Sequence, residues 1–294
     1  MEFLKFIYYG LRPARLPREV KLHIGFIFHT EEIQKASTFA KLKSFCQQYT
    51  SITGSRALCT VMSPENPRIR EEMRREGVHD SEFANRLHDL RQWADIGYHG
   101  HFWKSDSRSY SDEGNQIKVF NFSPTDEATV LGQFLAELEW FTSNGFTINS
   151  YSAGWWFINP FLMTLLHKTK IALDFSFCSQ PWINNFWAKD FLKAKQVAFG
   201  ESFKMQDQDP VYVQTLMGCT VTDYPMDFVR VINKSLKSER VDVSGMITTH
   251  DYNILRHRDL TNAIKVVRHL AGQSTVAFCS EADFRRIVPR KIIV

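Results

Sequence analysis

No Cys-x-x-Cys pair occurs in this chain, and its five cysteines (Cys46, Cys59, Cys178, Cys219 and Cys279) are odd in number and widely spaced. That excludes a disulfide framework and a cysteine zinc site, and predicts buried free thiols in a reducing compartment. No apolar run approaches the ~18–20 residues of a spanning helix. The opening stretch MEFLKFIYYGLRPARLPREV is interrupted by Lys5 and is followed by basic residues, not by a small-residue cleavage site. No secretory leader is therefore expected, and a cytoplasmic location is the default. The Phe3, Phe6, Ile7, Tyr8 and Tyr9 cluster beside Arg12, Arg15 and Arg18 leaves two options open, peripheral contact with a membrane surface or packing on the fold. Charge of one sign is also scarce. The 36 basic and 32 acidic residues leave a scattered net +4, too weak to argue for a nucleic-acid partner. Low-complexity segments and obvious repeats are missing as well.

What recurs is a strand pattern followed by a helix pattern, which is the mark of parallel α/β folds. HIGFIFHT (23–30), RALCTVMS (56–63), DIGYHGHF (95–102), FTINSY (146–151), IALDFSF (171–177), VTDYP (221–225), VDVSGMITTH (241–250) and TVAFCS (275–280) read as strands. Helical spacing fills 68–93, 157–168 and about 259–270. Ser123-Pro124-Thr125-Asp126 starts another helix, with a cap, a proline at the first position and an acid three residues after the cap. Leu131, Phe134, Leu135, Leu138 and Phe141 make its apolar face, and Asn144-Gly145 closes it. The stretch 178–220, rich in Trp, Phe, Gln and Asp, reads as a long loop insertion with some antiparallel pairing. The organisation expected is an N-terminal extension over 1–21 and one domain over 22–294. Seven or eight strand–helix units favour a closed barrel over an open doubly wound sheet. An open sheet would prefer a glycine-rich turn after the first strand, and the residues there are His-Thr-Glu-Glu.

In a parallel barrel the reacting groups sit at the C-terminal ends of strands. Three of these ends carry histidine: His29-Thr30-Glu31-Glu32, Tyr98-His99-Gly100-His101 and Thr248-Thr249-His250-Asp251. Strand residues two apart point the same way, so His99 and His101 face one space. Two imidazoles and a carboxylate form a plausible divalent metal shell. His250 followed by Asp251 invites a general acid with a carboxylate to tune it. Ordinary readings stand beside these. A lone His-x-His pairs one packed with one solvated ring, Asp251 or Asn253 caps a helix, and any one tryptophan fills the core. His79, His88, His167, His257 and His269 read as surface residues. Trp155-Trp156 after a strand, and Trp182 and Trp187 in the long loop, are rings that can stack on the apolar face of a sugar.

The segments IFHTEE, IGYHGHFW, YSAGWWFIN, LDFS, TDYPMDF, ITTHDYN and VAFCSEADF follow one another in an order that resembles the polysaccharide deacetylase family, the NodB-type carbohydrate esterases. The resemblance runs over about residues 22–287 and implies a distorted (β/α)7–8 barrel of the glycoside hydrolase/deacetylase type. The chain departs from the family pattern where the chemistry lies. His29 stands where the family has its base aspartate, Thr30 at a metal aspartate, Trp103 at the second metal histidine, and Ser152 at the arginine that orients the base.

The resemblance implies a divalent metal, such as zinc, on Glu31, His99 and His101. It implies His29 as base and His250 with Asp251 as the acid, acting on an N- or O-acetyl group. Trp103, Ser152, Trp155, Trp156 and Asp174 would then line the substrate groove. The partner implied is a carbohydrate or sugar precursor, in cell-surface polysaccharide or O-antigen synthesis. Two alternatives stay open. One is a barrel that binds a glycan without hydrolysing it, favoured by the three lost polar residues. The other is a different barrel metallohydrolase with a strand-borne His-x-His, which leaves SAGWW and TDYPMDF without an account.

Overall fold

A computed structural model describes residues 21–105, 110, 113–178, 185–206, 209–218, 242–287 and 289–294. Residues 1–20 of the expected N-terminal extension, the strand at 221–225, Trp182 and Cys219 lie outside the described residues.

The first strand, β1 (Leu22–Thr30), is buried along nearly its whole length. A continuous apolar run is what a parallel strand covered on both faces requires. The helix α1 (Ala36–Thr53) follows, burying Leu42, Phe45, Cys46 and Tyr49 on one stripe. It stops at Gly54, whose left-handed φ of 69° suits a residue without Cβ and lets its N–H bond the Thr50 carbonyl. Next come β2 (Ala57–Val61), α2 (Pro67–Glu76), α3 (Asp80–Leu90) and β3 (Ala94–Gly100). The stretch expected as one helix over 68–93 is therefore two. Gly77, at φ 67°, caps the first, and Asp80 opens the second.

A two-residue pair, β4 (Phe102–Trp103) with β5 (Gln116–Ile117), leads to α4 (Glu127–Ser143). The expected start is present, since Ser123 and Asp126 form a capping box around Pro124. The buried face keeps Phe134 and Phe141 of the expected set, with Leu138 half-buried on the core, but adds Val130, Glu137 and Trp140 and leaves Leu131 and Leu135 exposed. The helix is turned so that an acid lies on the core stripe.

The next strand, β6 (Ser150–Ala153), starts later than expected because Phe146 still bonds the end of α4 through its N–H to the Phe141 carbonyl. It is followed by α5 (Pro160–Lys168) and β7 (Leu173–Asp174). The segment expected as a loop holds α6 (Phe186–Ala194), capped by Asn185, then β8 (Phe203–Met205) antiparallel to β9 (Val211–Tyr212), and β10 (Thr215–Gly218). The chain finishes with β11 (Val243–His250), α7 (His257–Ala271), β12 (Val276–Phe278), α8 (Glu281–Arg286) and β13 (Lys291–Ile293).

In strand order β11, β1, β2, β3, β6 and β7 are parallel neighbours. The run 211–218 closes the ring. Its amides at Val211, Val213 and Thr215 bond the carbonyls of Ala172, Asp174 and Phe177, and its far side pairs with β11. Seven strands thus form a distorted barrel. A short eighth, β12, is set against the start of β1 on the edge that β2 takes further along.

Side-chain alternation divides the barrel. Ile27, Leu58, Leu173, Val213 and Met246 meet inside, with Phe284 of α8 packed on them. Two residues on along the same faces come Thr60, Thr248 and His29. The interior therefore changes from apolar to polar toward the C-terminal ends of the strands.

Cys46, Cys59 and Cys279 are buried free thiols, and Cys178 is buried as well. No helix among the described residues is long and apolar enough to cross a membrane.

Candidate active site

His29 ends β1 on the same face as Ile27, and His99 ends β3. Their rings stack with centroids 4.3 Å apart. His250, at the end of β11, meets His29 edge-on at 5.2 Å and stacks on Tyr252 at 4.7 Å. The carboxylate of Glu31 lies among them. Its Oε1 is 3.5 Å from Nε2 of His99, 3.4 Å from Nε2 of His101 and 3.5 Å from Nε2 of His250. Its other oxygen is held by Arg68 at 2.6 Å. The strand ends singled out in the sequence therefore meet in space.

Ser152, paired in register with His99, sets two of these rings. Its carbonyl accepts the Nδ1 proton of His99 at 2.9 Å, and its hydroxyl lies 2.7 Å from Nε2 of His29. A carbonyl only accepts, so a neutral His99 must carry its lone pair on Nε2. That lone pair faces Nε2 of His101 at 3.0 Å. Two ring nitrogens so close need a positive centre between them, a proton or a metal ion. A tetrahedral zinc ion with bonds of about 2.0–2.2 Å spaces its ligand atoms about 3.3–3.6 Å apart. The separations of 3.0, 3.4 and 3.5 Å among His99, His101 and Glu31 are close to that. Their donor atoms form the one His/Cys/Asp/Glu group among the described residues that could hold a metal ion.

Burial shapes the electrostatics. It pushes the pKa of His99 down to about 4, against the pull of Glu31. It also lowers His29 well below the usual imidazole value, helped by His99 and His250, and it lowers His250. These rings are neutral at pH 7 and fit to ligate or to accept protons. For Glu31 burial acts upward, but His101 and then His99 hold its pKa well below the usual carboxylate range.

Asp251 is wholly buried. Its oxygens accept the N–H groups of Glu31 (3.1 Å), Glu32 (2.8 Å) and Tyr252 (3.0 Å), so it fixes the turn that carries Glu31. Asp174 is also wholly buried and binds the Ser176 hydroxyl at 2.6 Å, while the Ser176 oxygen accepts the Ala153 N–H at 2.9 Å. It props the end of β6. Burial pushes both acids up to about 7.

Trp103, Trp155 and Trp156, expected along the substrate groove, differ in exposure. Trp103 is 2% exposed, with its backbone held on both sides by Gln133 and its ring against Tyr110. It offers no open face to a sugar, contrary to the expectation. Trp156 lies half-buried 5.5 Å from His29. Trp155 is 50% exposed, with the Lys118 ammonium 3.9 Å above its ring.

Five supporting residues lie outside the sequence reading: Arg68 on Glu31, Gln116 against Nδ1 of His101, Gly154 against the His101 ring, and Glu137 with Asn66 behind it. Asn66-Pro67 is a legible helix start. Glu137 is an acid at a core-stripe position of α4. Both signals were available in the sequence.

No protein-family model and no curated protein matches the chain. Solved structures do. A protein from Mycobacterium smegmatis assigned as a polysaccharide deacetylase aligns with a TM-score of 0.56 at 12% identity, over 93% of this chain and 92% of that one. One so assigned from Pseudomonas aeruginosa PAO1 gives 0.50 at 11% identity, over 95% of each. A 4-alpha-glucanotransferase from Thermococcus litoralis gives 0.55 at 8% identity, over 93% of this chain and 42% of the other. At these identities the likeness establishes the fold, and that fold is the (β/α) barrel of the polysaccharide deacetylases.

Proposed function

We propose that the protein is a divergent, metal-dependent carbohydrate deacetylase that hydrolyses an N- or O-acetyl group on a sugar or glycan precursor. The observation that carries the reading is the meeting of the Glu31, His99 and His101 donors with His29 and His250 at the C-terminal mouth of a deacetylase-type barrel. Glu31, His99 and His101 would hold the cation, zinc being the best fit to two imidazoles and a carboxylate, and it would supply Lewis acidity toward an acyl carbonyl and an acidified water.

The chain's own residues do the rest. His29, neutral through burial and oriented by the Ser152 hydroxyl, takes the proton from water. Burial keeps the His29 ring unprotonated and able to accept, which makes the change from aspartate chemically workable. His250, held against Tyr252 and itself neutral at rest, would hand on to the leaving amine or alkoxide the proton that leaves the water. Asp251 acts on this site by fixing the Glu31 turn. Trp155 and Trp156 flank the entrance and offer rings to a sugar face.

The test pairs two measurements on protein purified without chelator or His-tag. One is metal content, beside a His99→Ala variant. The other is acetate release from acetylated sugars and sugar nucleotides. About one ion per chain, lost in the variant, together with metal-dependent acetate release, supports the proposal. No ion in either protein after incubation with zinc, cobalt or nickel sinks it. The half-exposed Trp155 favours a second reading, a glycan-binding barrel without hydrolysis. That reading predicts sugar binding that survives His99→Ala.

A further inference from the structure

We infer that Glu137, a carboxylate on α4, is the positioning residue that holds His101 and the start of α2 in the arrangement the metal group needs. The inference rests on the metal-site reading above. Glu137 is wholly buried on the core stripe of its helix, where a carboxylate is costly and an apolar residue is the ordinary choice. Burial pushes it up to about 8.

Three donors from two separate segments meet it. Oε2 accepts the Ser63 N–H at 2.9 Å. Oε1 accepts Nδ2 of Asn66 at 3.1 Å and the Tyr98 hydroxyl at 3.2 Å. Ser63 and Asn66 lie beyond the end of β2, and Tyr98 lies on β3. The Asn66 amide has a second task. Its Nδ2 also donates to the carbonyl of His101 at 2.9 Å, so its two hydrogens are shared between Glu137 and His101. Its Oδ1 accepts the Arg68 N–H at 3.1 Å and so caps α2. Arg68 on that helix binds Oε2 of Glu31.

Each member of the metal group is thus reached from one buried acid. His101 is reached through Asn66, His99 through its neighbour Tyr98, and Glu31 through the cap of α2 and Arg68. The arrangement answers a local need. His101 falls between the end of β3 at Gly100 and the two-residue β4, so no strand ladder holds it. A side-chain amide bonds its carbonyl instead, and that amide is aimed by Glu137. An apolar side chain of similar size at 137 would fill the space and leave one hydrogen of the Asn66 amide without its acceptor.

The experiment uses Co(II) as the probe on the whole chain, wild type beside Glu137→Gln and Glu137→Leu. Affinity is read against a competing chelator, geometry from the visible absorption bands, and folding from far-UV circular dichroism and Tm. Glu137→Gln is the safer folder, because it keeps the shape and an acceptor oxygen, whereas Glu137→Leu leaves the Ser63, Asn66 and Tyr98 donors without that partner. The expected result is about tenfold weaker binding and altered bands in both folded variants. Unchanged affinity and bands in either folded variant, with only Tm moved, would overturn the inference while leaving the metal site standing. A wild-type protein that takes no Co(II) overturns both together.

Discussion

Gly154 and His101 share one space: a Cβ on Gly154 would fall within the imidazole of His101. The glycine is needed for room, not for an unusual backbone angle. Gly154→Ala is therefore expected to push the His101 ring off its Gln116 contact and away from Nε2 of His99. Zinc affinity should fall by at least about tenfold. Isothermal titration of the folded variant checks this. Wild-type affinity would mean that the ring finds an equivalent position.

Arg68 splits the Glu31 carboxylate, taking one oxygen and leaving the other to the histidines. Arg68→Ala should free the carboxylate to rotate and weaken metal binding by about 10-fold or more, with Arg68→Lys partway back. Equal affinities for all three proteins would show that Glu31 needs no such restraint.

Asp174 predicts a pH dependence of stability. Its folded pKa, about 7, lies above the usual 3.8 because of burial. The folded chain therefore binds a proton that the unfolded chain has already lost between those values. Its contribution is full below about pH 4 and is lost as pH rises through 7. The urea midpoint of the wild type should fall between pH 5 and pH 8, and Asp174→Asn should lose less over that range. Parallel pH profiles would contradict the shift.

Trp155 is half-exposed and packs no core, so Trp155→Ala should change stability by no more than about 0.5 kcal/mol. Losing a stacking ring should still weaken binding of an acetylated oligosaccharide by about 5–10-fold. Unchanged affinity by calorimetry would remove Trp155 from the substrate path.

Much of this was legible from periodicity. The parallel strands showed as apolar runs, and the histidines at their ends marked the site because strand ends converge in a barrel. That geometry supplies the two imidazoles of His99 and His101, while Glu31 as the third member is what the family resemblance implies. Other features depend on how helices rotate and how side chains reach across the sequence. The face of α4 was misjudged because Leu131 and Leu135 look like core residues. The acid Glu137 on the same helix has its partners far along the chain, at Ser63 and Asn66 beyond β2 and at Tyr98 on β3. Trp103 was expected at the substrate because of its position in a motif. Gln133 and the β4–β5 pair bury it instead.

The barrel is uneven around its circumference. Its closure between β7 and β11 rests on the run 211–218, which has two short ladders and a shift of register at Thr215–Met217. The strands β11, β1, β2, β3 and β6 make an unbroken series of pairs, and they carry His29, His99 and His250, with His101 just past the end of β3. Thermal fluctuation should therefore part the ring at the seam first, in the manner of a local unfolding unit. Amides of Val211, Val213 and Thr215 would exchange with solvent deuterium well before those of Phe28, Tyr98 and Thr249. The histidine cluster would then stay assembled while the opposite wall breathes, and a bulky chain could enter sideways without dismantling the chemistry.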